Sequence, residues 1–292
     1  MRPLLVKWLL HFFAALPLPV AHILGTWVGW GLVLIPNDLR RIARINISIC
    51  FPEMGPHERA RLCRQTLIET GKTMAEVAAI WLWDGSRTLE LVREVSGEEH
   101  LKRALAAGNG VILAAPHLGS WELVGLYCSA HYPITSLYRP PRMHQLGELV
   151  RHGRERLGAT LVPADASGVR ALYKALARKE LVGILPDQEP GAGEGVFAPL
   201  LGIPAYTMVL LSRLAIKTQA PVLFAYAERL PRGLGFHLHF LPAPNNINSL
   251  PVETSVAVMN NMVESCVRKL PKQYQWGYKR FRTRAPGEKK IY

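Results

Sequence analysis

Two short stretches limit the folds open to this chain. Val111-Ile-Leu-Ala-Ala115 and Leu181-Val-Gly-Ile-Leu185 are continuous apolar runs bounded by turn residues. A strand apolar on both sides of its pleat must be covered on both faces, as in a parallel sheet. Each run is followed by a segment with helical character. Trp121 to Ala130, Met143 to Leu157, Gly168 to Ala177, Tyr206 to Thr218 and Thr254 to Lys269 read as helices. Ile134 to Tyr138, Thr160 to Val162, Val222 to Glu228 and Phe236 to Leu241 read as further strands. Alternation of this kind predicts an α/β fold, a mostly parallel central sheet flanked by helices.

Upstream of the sheet, His57 to Trp83 carries apolar residues near helical spacing, with Pro56 at its start. Glu98 to Ala107 is a short helix closed by Gly108-Asn109-Gly110. The segment from Leu185 to Pro204 is Gly/Pro-rich and is expected as a loop.

The first 36 residues are different. They hold two charged groups, Arg2 and Lys7, and no acid, and a basic cluster of Arg40, Arg41 and Arg44 follows. Pro17 and Pro19 break the apolar stretch, and Trp8, Trp27 and Trp30 suit a membrane interface. No small-residue cleavage site follows a short apolar core, which disfavours a signal peptide. A spanning helix and a helix lying in the cytoplasmic interface both fit. An N-terminal membrane anchor or interfacial segment over 1–36 and a second domain over 37–292 is the expected division.

Charge agrees with an anionic partner. Lys plus Arg is 35 and Asp plus Glu is 22, a net +13, with 49% hydrophobic residues in 292. That apolar content excludes a disordered chain. Cys50, Cys63, Cys128 and Cys266 show no paired spacing, so neither disulfides nor a zinc-type C-x-x-C pair is expected. The tail from Lys279 to Lys290 adds six positive residues and one acid, Glu288. No nucleic-acid module accompanies it, so no nucleic-acid partner is expected.

The chemistry centres on Ala115-Pro116-His117-Leu118-Gly119-Ser120-Trp121-Glu122. It leaves a buried strand and opens a helix, where α/β folds gather ligands. His117 and Glu122 meet only if the first sits in the turn and the second in the opening helical turn. Gly119 permits that turn and Ser120 suits an N-cap. A carboxylate on one imidazole nitrogen leaves the other free to act as general base.

These residues resemble the H-x-x-x-x-(D/E) motif of the glycerolipid acyltransferase superfamily. More narrowly, the chain resembles the bacterial lipid A biosynthesis acyltransferases of the late, lauroyl or myristoyl type. Asp187-Gln188-Glu189-Pro190-Gly191, Gly195-Val196-Phe197 and Tyr274-Gln275-Trp276-Gly277-Tyr278-Lys279-Arg280-Phe281-Arg282 resemble further blocks of that family. One departure is Leu200-Leu201-Gly202 where Phe-Phe-Gly is usual.

The resemblance implies transfer of a fatty acyl chain from acyl carrier protein to a hydroxyl of a lipid A precursor of the Kdo-lipid IVA type. His117 would be the base and Glu122 its orienting acid. No cofactor is implied beyond the acyl thioester co-substrate. Backbone amides around Gly119 and Ser120, or an arginine, are the candidate oxyanion donors. Arg139 and Arg154, in a run with Arg142, Arg151 and Arg156, suit a phosphorylated glycolipid headgroup. Asp187 and Glu189 follow a strand and can reach the same edge, to position the acceptor or hold an arginine. His237 and His239 share a strand face, but no further metal ligands are evident at matching spacing. Other lipid acceptors (a lysophospholipid, a mannosylated inositol lipid, an ornithine lipid) and a non-catalytic membrane scaffold remain as alternatives.

Overall fold

The computed structural model describes residues 2–141 and 143–292. Its helices are α1 (Arg2–Ala14), α2 (Leu18–Leu34), α3 (Asp38–Cys50), α4 (Pro56–Leu82), α5 (Gly85–Leu89), α6 (Glu98–Ala106), α7 (Trp121–His131), α8 (Gly147–Glu155), α9 (Ala166–Ala177), α10 (Leu210–Thr218) and α11 (Val252–Lys269). Its strands are β1 (Val92–Ser96), β2 (Val111–Ala114), β3 (Ile134–Tyr138), β4 (Thr160–Pro163), β5 (Leu181–Ile184), β6 (Gly195–Leu200), β7 (Ile203–Met208), β8 (Val222–Arg229) and β9 (Phe236–Pro242).

Seven strands form one sheet in the order β1-β9-β8-β2-β5-β3-β4. Five run parallel, and β9 with β1 runs the other way at one edge because β8 and β9 pair antiparallel. β2 and β5 are buried along their whole length, as their unbroken apolar runs require. Alternate residues feed two cores. Ile112, Ala114, Val182, Ile184 and Phe224 face one layer, and Val111, Leu113, Leu181, Leu223 and Ala225 the other.

One stretch differs from expectation. Residues read as loop and helix start form the β6–β7 hairpin, and α10 begins only at Leu210. Its inward alternation (Ala198, Leu200, Ala205, Thr207) is interrupted in sequence by Pro199 and Pro204, which sit opposite each other. Its two-residue turn holds Leu201 and Gly202 at positive φ, the geometry that matches strand twist.

The N-terminal segment is two helices, broken at Pro17. Pro17 ends the α1 turn, and no single helix among the described residues is long and apolar enough to cross a membrane. Taken together α2 and α3 would be, but they are bent by 79°. α2 buries one stripe, Leu18, Ala21, His22, Gly25 and Gly29, against α4. The glycines are there for contact: a Cβ on Gly29 would sit 2.4 Å from the Ile68 Cα. Exposed apolar residues on the rest of α1 and α2 include Leu4, Leu5, Trp8, Ile23, Trp27 and Leu34.

Candidate active site

β2 and β5 are neighbours in register, with Ala114 opposite Ile184. His117 and Asp187 each lie three residues past those partners, so the two loops deliver them together. His117 Nδ1 is 2.8 Å from Asp187 Oδ1, and the His117 backbone amide donates to Oδ2 at 2.9 Å. The carboxylate on Nδ1 assigns the ring proton there and leaves the Nε2 lone pair outward. The Gln188 side-chain amide donates to that lone pair at 3.1 Å and also to Gln275 Oε1 at 3.0 Å. Burial alone would raise the Asp187 carboxyl. The His117 imidazole and the hydrogen bonds it accepts hold it below its ordinary range instead.

The expected partner of the imidazole is therefore corrected. Asp187, not Glu122, makes the contact with His117. Glu122 enters α7 on its first turn and accepts a two-pronged bond from Arg154 of α8, Nε to Oε2 at 2.8 Å and Nη2 to Oε1 at 2.5 Å. Burial pushes the Glu122 carboxyl up, but the Arg154 guanidinium wins and it stays low. Both residues still line the same cavity as His117.

That cavity has a volume of about 370 Å³. One wall is the α4 face of Glu69, Thr73, Met74, Val77 and Trp81, and the other carries His117, Trp121, Glu122, Tyr138, Arg139 and Arg154. Lys272 and Gln275 close it from the C-terminal segment. Met74, Val77, Trp81 and Trp121 give the cavity apolar surface that suits a hydrocarbon chain, and Arg139, Arg154 and Lys272 give it cations that suit phosphate. Arg139 is exposed, with no side-chain hydrogen bond among the described residues.

Gly119 and Ser120 do not face the cavity. Gly119 has φ +61°, and a Cβ there would fall 1.9 Å from the Ala227 carbonyl oxygen. Every backbone amide of the turn is already used: His117 to Asp187, Leu118 to Pro116 O, Gly119 to Gln273 O, and Ser120 to Ala227 O. None is left for an oxyanion. Ser120 occupies the N-cap position, but its side chain makes no capping bond. These two residues are the pins that hold the loop to β8 and to the C-terminal segment.

The other expected groups separate. Glu189 fastens the tail, accepting from the Thr283 amide at 2.8 Å and from Arg282 Nε at 3.2 Å. Arg151 pairs with Glu155, and Arg156 reaches Thr88 Oγ1 at 2.9 Å. Arg142 lies outside the described residues.

Three contributions escaped the reading of the residues. Gln188 and Gln275 stood in the quoted blocks without a role. The α4 wall read simply as a core helix. Arg229 was not singled out at all. It is buried behind that wall and bonds Glu76 (2.6 Å from Nε), Glu69 (2.7 Å from Nη1) and Thr73 (2.7 Å from Nη2). Glu76 also meets His22 Nε2 of α2 at 2.8 Å. The network ties the apolar N-terminal helices, the cavity wall and β8 into one piece.

A family profile described as "Bacterial lipid A biosynthesis acyltransferase" matches residues 3–283. The chain is 30% identical over 283 residues to the lipid A biosynthesis lauroyltransferase of Escherichia coli K12, covering 97% of this chain and 90% of that one. It is 30% identical over 294 residues to the lipid A biosynthesis palmitoleoyltransferase of the same organism, covering 98% and 92%. A phosphatidylinositol mannoside acyltransferase of Mycobacterium tuberculosis is 30% identical over 154 residues, covering 51% and 48%.

Proposed function

The chain belongs to the bacterial lipid A biosynthesis acyltransferase family and is an acyltransferase, and on that footing we propose that it moves a fatty acyl chain from acyl carrier protein to a hydroxyl of a Kdo-lipid IVA type acceptor at the cytoplasmic face of the inner membrane. The observation that carries the chemistry is the His117–Asp187 pair, with His117 on a cavity lined by apolar side chains and three cations.

In this reading the acceptor hydroxyl displaces the Gln188 amide from His117 Nε2 and gives its proton there. Its oxygen attacks the thioester carbonyl, and the carbonyl electrons move to the oxyanion. Collapse breaks the carbon–sulfur bond, and His117 returns the proton to the departing thiolate. Asp187 holds the ring and stabilises the transient imidazolium. No covalent acyl-enzyme arises, and no buried cysteine is needed.

With the amides of residues 117–120 occupied, this reading assigns oxyanion donation to side chains. Arg154, on the cavity lining, and the displaced Gln188 amide are the candidates this reading takes, with Glu122 holding Arg154 in place. Arg139 and Lys272, both on the cavity lining, would receive acceptor phosphates. The acidic carrier protein is matched by the net charge of +13. No metal or organic cofactor takes part in these steps.

For the membrane, an in-plane seat is favoured over a span. α2 gives one stripe to α4, with His22 paired to Glu76, and keeps only its remaining surface for lipid. Arg41 and Arg44, exposed on α3, would supply cations at the headgroup level.

The half-length mycobacterial match fits a shared transfer centre and favours no change of acceptor. The direct test offers the purified chain acyl carrier thioester with either a Kdo-lipid IVA type acceptor or a lysophospholipid, read by mass spectrometry. One added acyl group on the former alone is expected. Acylation of the lysophospholipid alone would reassign the acceptor.

A further inference from the structure

Away from the cavity, three adjacent strands bring ligating side chains into two rows on one face of the sheet. Glu94 of β1, His237 of β9 and Glu228 of β8 lie directly opposite one another, and Ser96, His239 and Tyr226 form the next row. Because side chains alternate along a strand, all six share that face. His239 Nε2 is 3.3 Å from Glu228 Oε2. His237 Nε2 is 2.7 Å from Ser96 Oγ and 3.5 Å from Glu94 Oε1. The two imidazoles are 3.9 Å apart, centroid to centroid. One ligand atom from each of Glu228, His237 and His239 falls within 4.8 Å of the others.

We propose that Glu228, His237 and His239 form a binding site for a divalent transition metal of the zinc class. Zinc takes nitrogen and carboxylate ligands at about 2.0–2.2 Å, so neighbouring tetrahedral ligands sit about 3.4 Å apart. The Glu228–His239 gap already has that spacing. The third ligand needs to close by about an ångström, within the reach of a χ adjustment on a fixed strand. Two nitrogens and an oxygen suit zinc, whereas magnesium and calcium favour all-oxygen sets.

The surroundings fit a ligand role. Ser96 holds one ring nitrogen of His237, the kind of outer contact that fixes a ligating imidazole. His239 lies against Tyr226, ring centroids 4.6 Å apart. Water would complete the fourth position. A metal here would clamp β9 to β8 beside Arg229, the residue that anchors the cavity wall from the opposite face of β8.

The test uses the full chain without a polyhistidine tag, stripped by chelator, and titrated calorimetrically with Zn²⁺, Mg²⁺ or Ca²⁺. One Zn²⁺ per chain is expected, with no response to Mg²⁺ or Ca²⁺. Co²⁺ in place of zinc should give the visible absorption of a low-symmetry four-coordinate site. His239→Ala and Glu228→Gln should each weaken zinc at least tenfold, and Ser96→Ala should weaken it by about tenfold. His117→Ala should bind zinc unchanged, which separates this site from the catalytic imidazole. Where His239→Ala fails to fold, Glu228→Gln serves alone, since its side chain is 36% exposed. Absence of stoichiometric zinc binding, equal response to Mg²⁺, or undiminished affinity in Glu228→Gln would overturn the assignment.

Discussion

Asp187 grips His117 at two atoms, with Oδ1 on the ring Nδ1 at 2.8 Å and Oδ2 on the backbone amide at 2.9 Å. One carboxylate thus fixes both the ring tautomer and the loop that carries the ring. Replacing it with an amide keeps the shape but offers an N–H where the ring needs an acceptor. Asp187→Asn should therefore lower turnover by ~10²–10⁴-fold, as loss of the orienting acid does in other histidine-base enzymes. Steady-state transfer assays with circular dichroism check this. A folded variant within a few-fold of the parent rate would remove Asp187 from the mechanism.

Glu122 and Arg154 should behave as a unit. The Glu122 side chain is 9% exposed and that of Arg154 29%. Arg154→Ala leaves a nearly buried carboxylate without its cation. The expected cost is about 2–4 kcal/mol, reduced from a fully buried pair because Arg154 is partly exposed. The double variant Glu122→Ala/Arg154→Ala should lose less stability than the two single changes added together. Urea denaturation of all four proteins measures the coupling, and strict additivity would contradict the pairing.

Gly119 and Gly125 offer a matched comparison. A methyl on Gly119 must enter the Ala227 carbonyl at 1.9 Å and adopt φ +61°. Gly119→Ala should destabilise by at least about 3 kcal/mol or prevent folding. Gly125, in the interior of α7, has nothing within 4 Å of an added Cβ. Gly125→Ala should stabilise by about 0.5–1 kcal/mol. Thermal melts decide both, and equal effects at the two positions would contradict the fold around the catalytic turn.

Acid should loosen the cavity wall through Glu76. Burial opposes its ionisation, but Arg229 and His22 hold its carboxyl at about 2, against an ordinary 4.5. The stabilisation, about 3 kcal/mol, is complete above pH 4.5 and is lost as pH falls toward 2. Asp187, Glu122 and Glu69 are also lowered and add loss in the same direction. Denaturant midpoints across that range should fall steeply in the parent and less steeply in Glu76→Gln/Arg229→Met. Parallel slopes in the two proteins would exclude the network as the acid-sensitive element.

Much of the scaffold was legible because buried parallel strands announce themselves. β2 and β5 are short, apolar and turn-bounded, and both fall within a residue of where the pattern puts them. The β6–β7 hairpin was not legible, since Pro199 and Pro204 disguise its alternation as loop composition. In the site, His117 was singled out by strand, turn, glycine and the family resemblance together. Its partner was not, because pairing His117 with Asp187 requires knowing that β2 and β5 are neighbours, and strand order is a tertiary fact. Glu122, five residues from His117, looked closer in sequence but turned toward Arg154. Glu228, the third ligand of the proposed metal site, lay at the end of a strand that the sequence already paired with Phe236 to Leu241, but the register that sets it opposite His237 was not readable.

The proton-accepting role of His117 is the point on which the rest depends. Its direct measure is the single-turnover rate of acyl transfer by His117→Ala, on protein shown to melt like the parent. With His117 as the base, transfer falls by ~10²–10⁴-fold while acceptor binding is kept. A folded His117→Ala protein that transfers acyl groups at near the parent rate would contradict it.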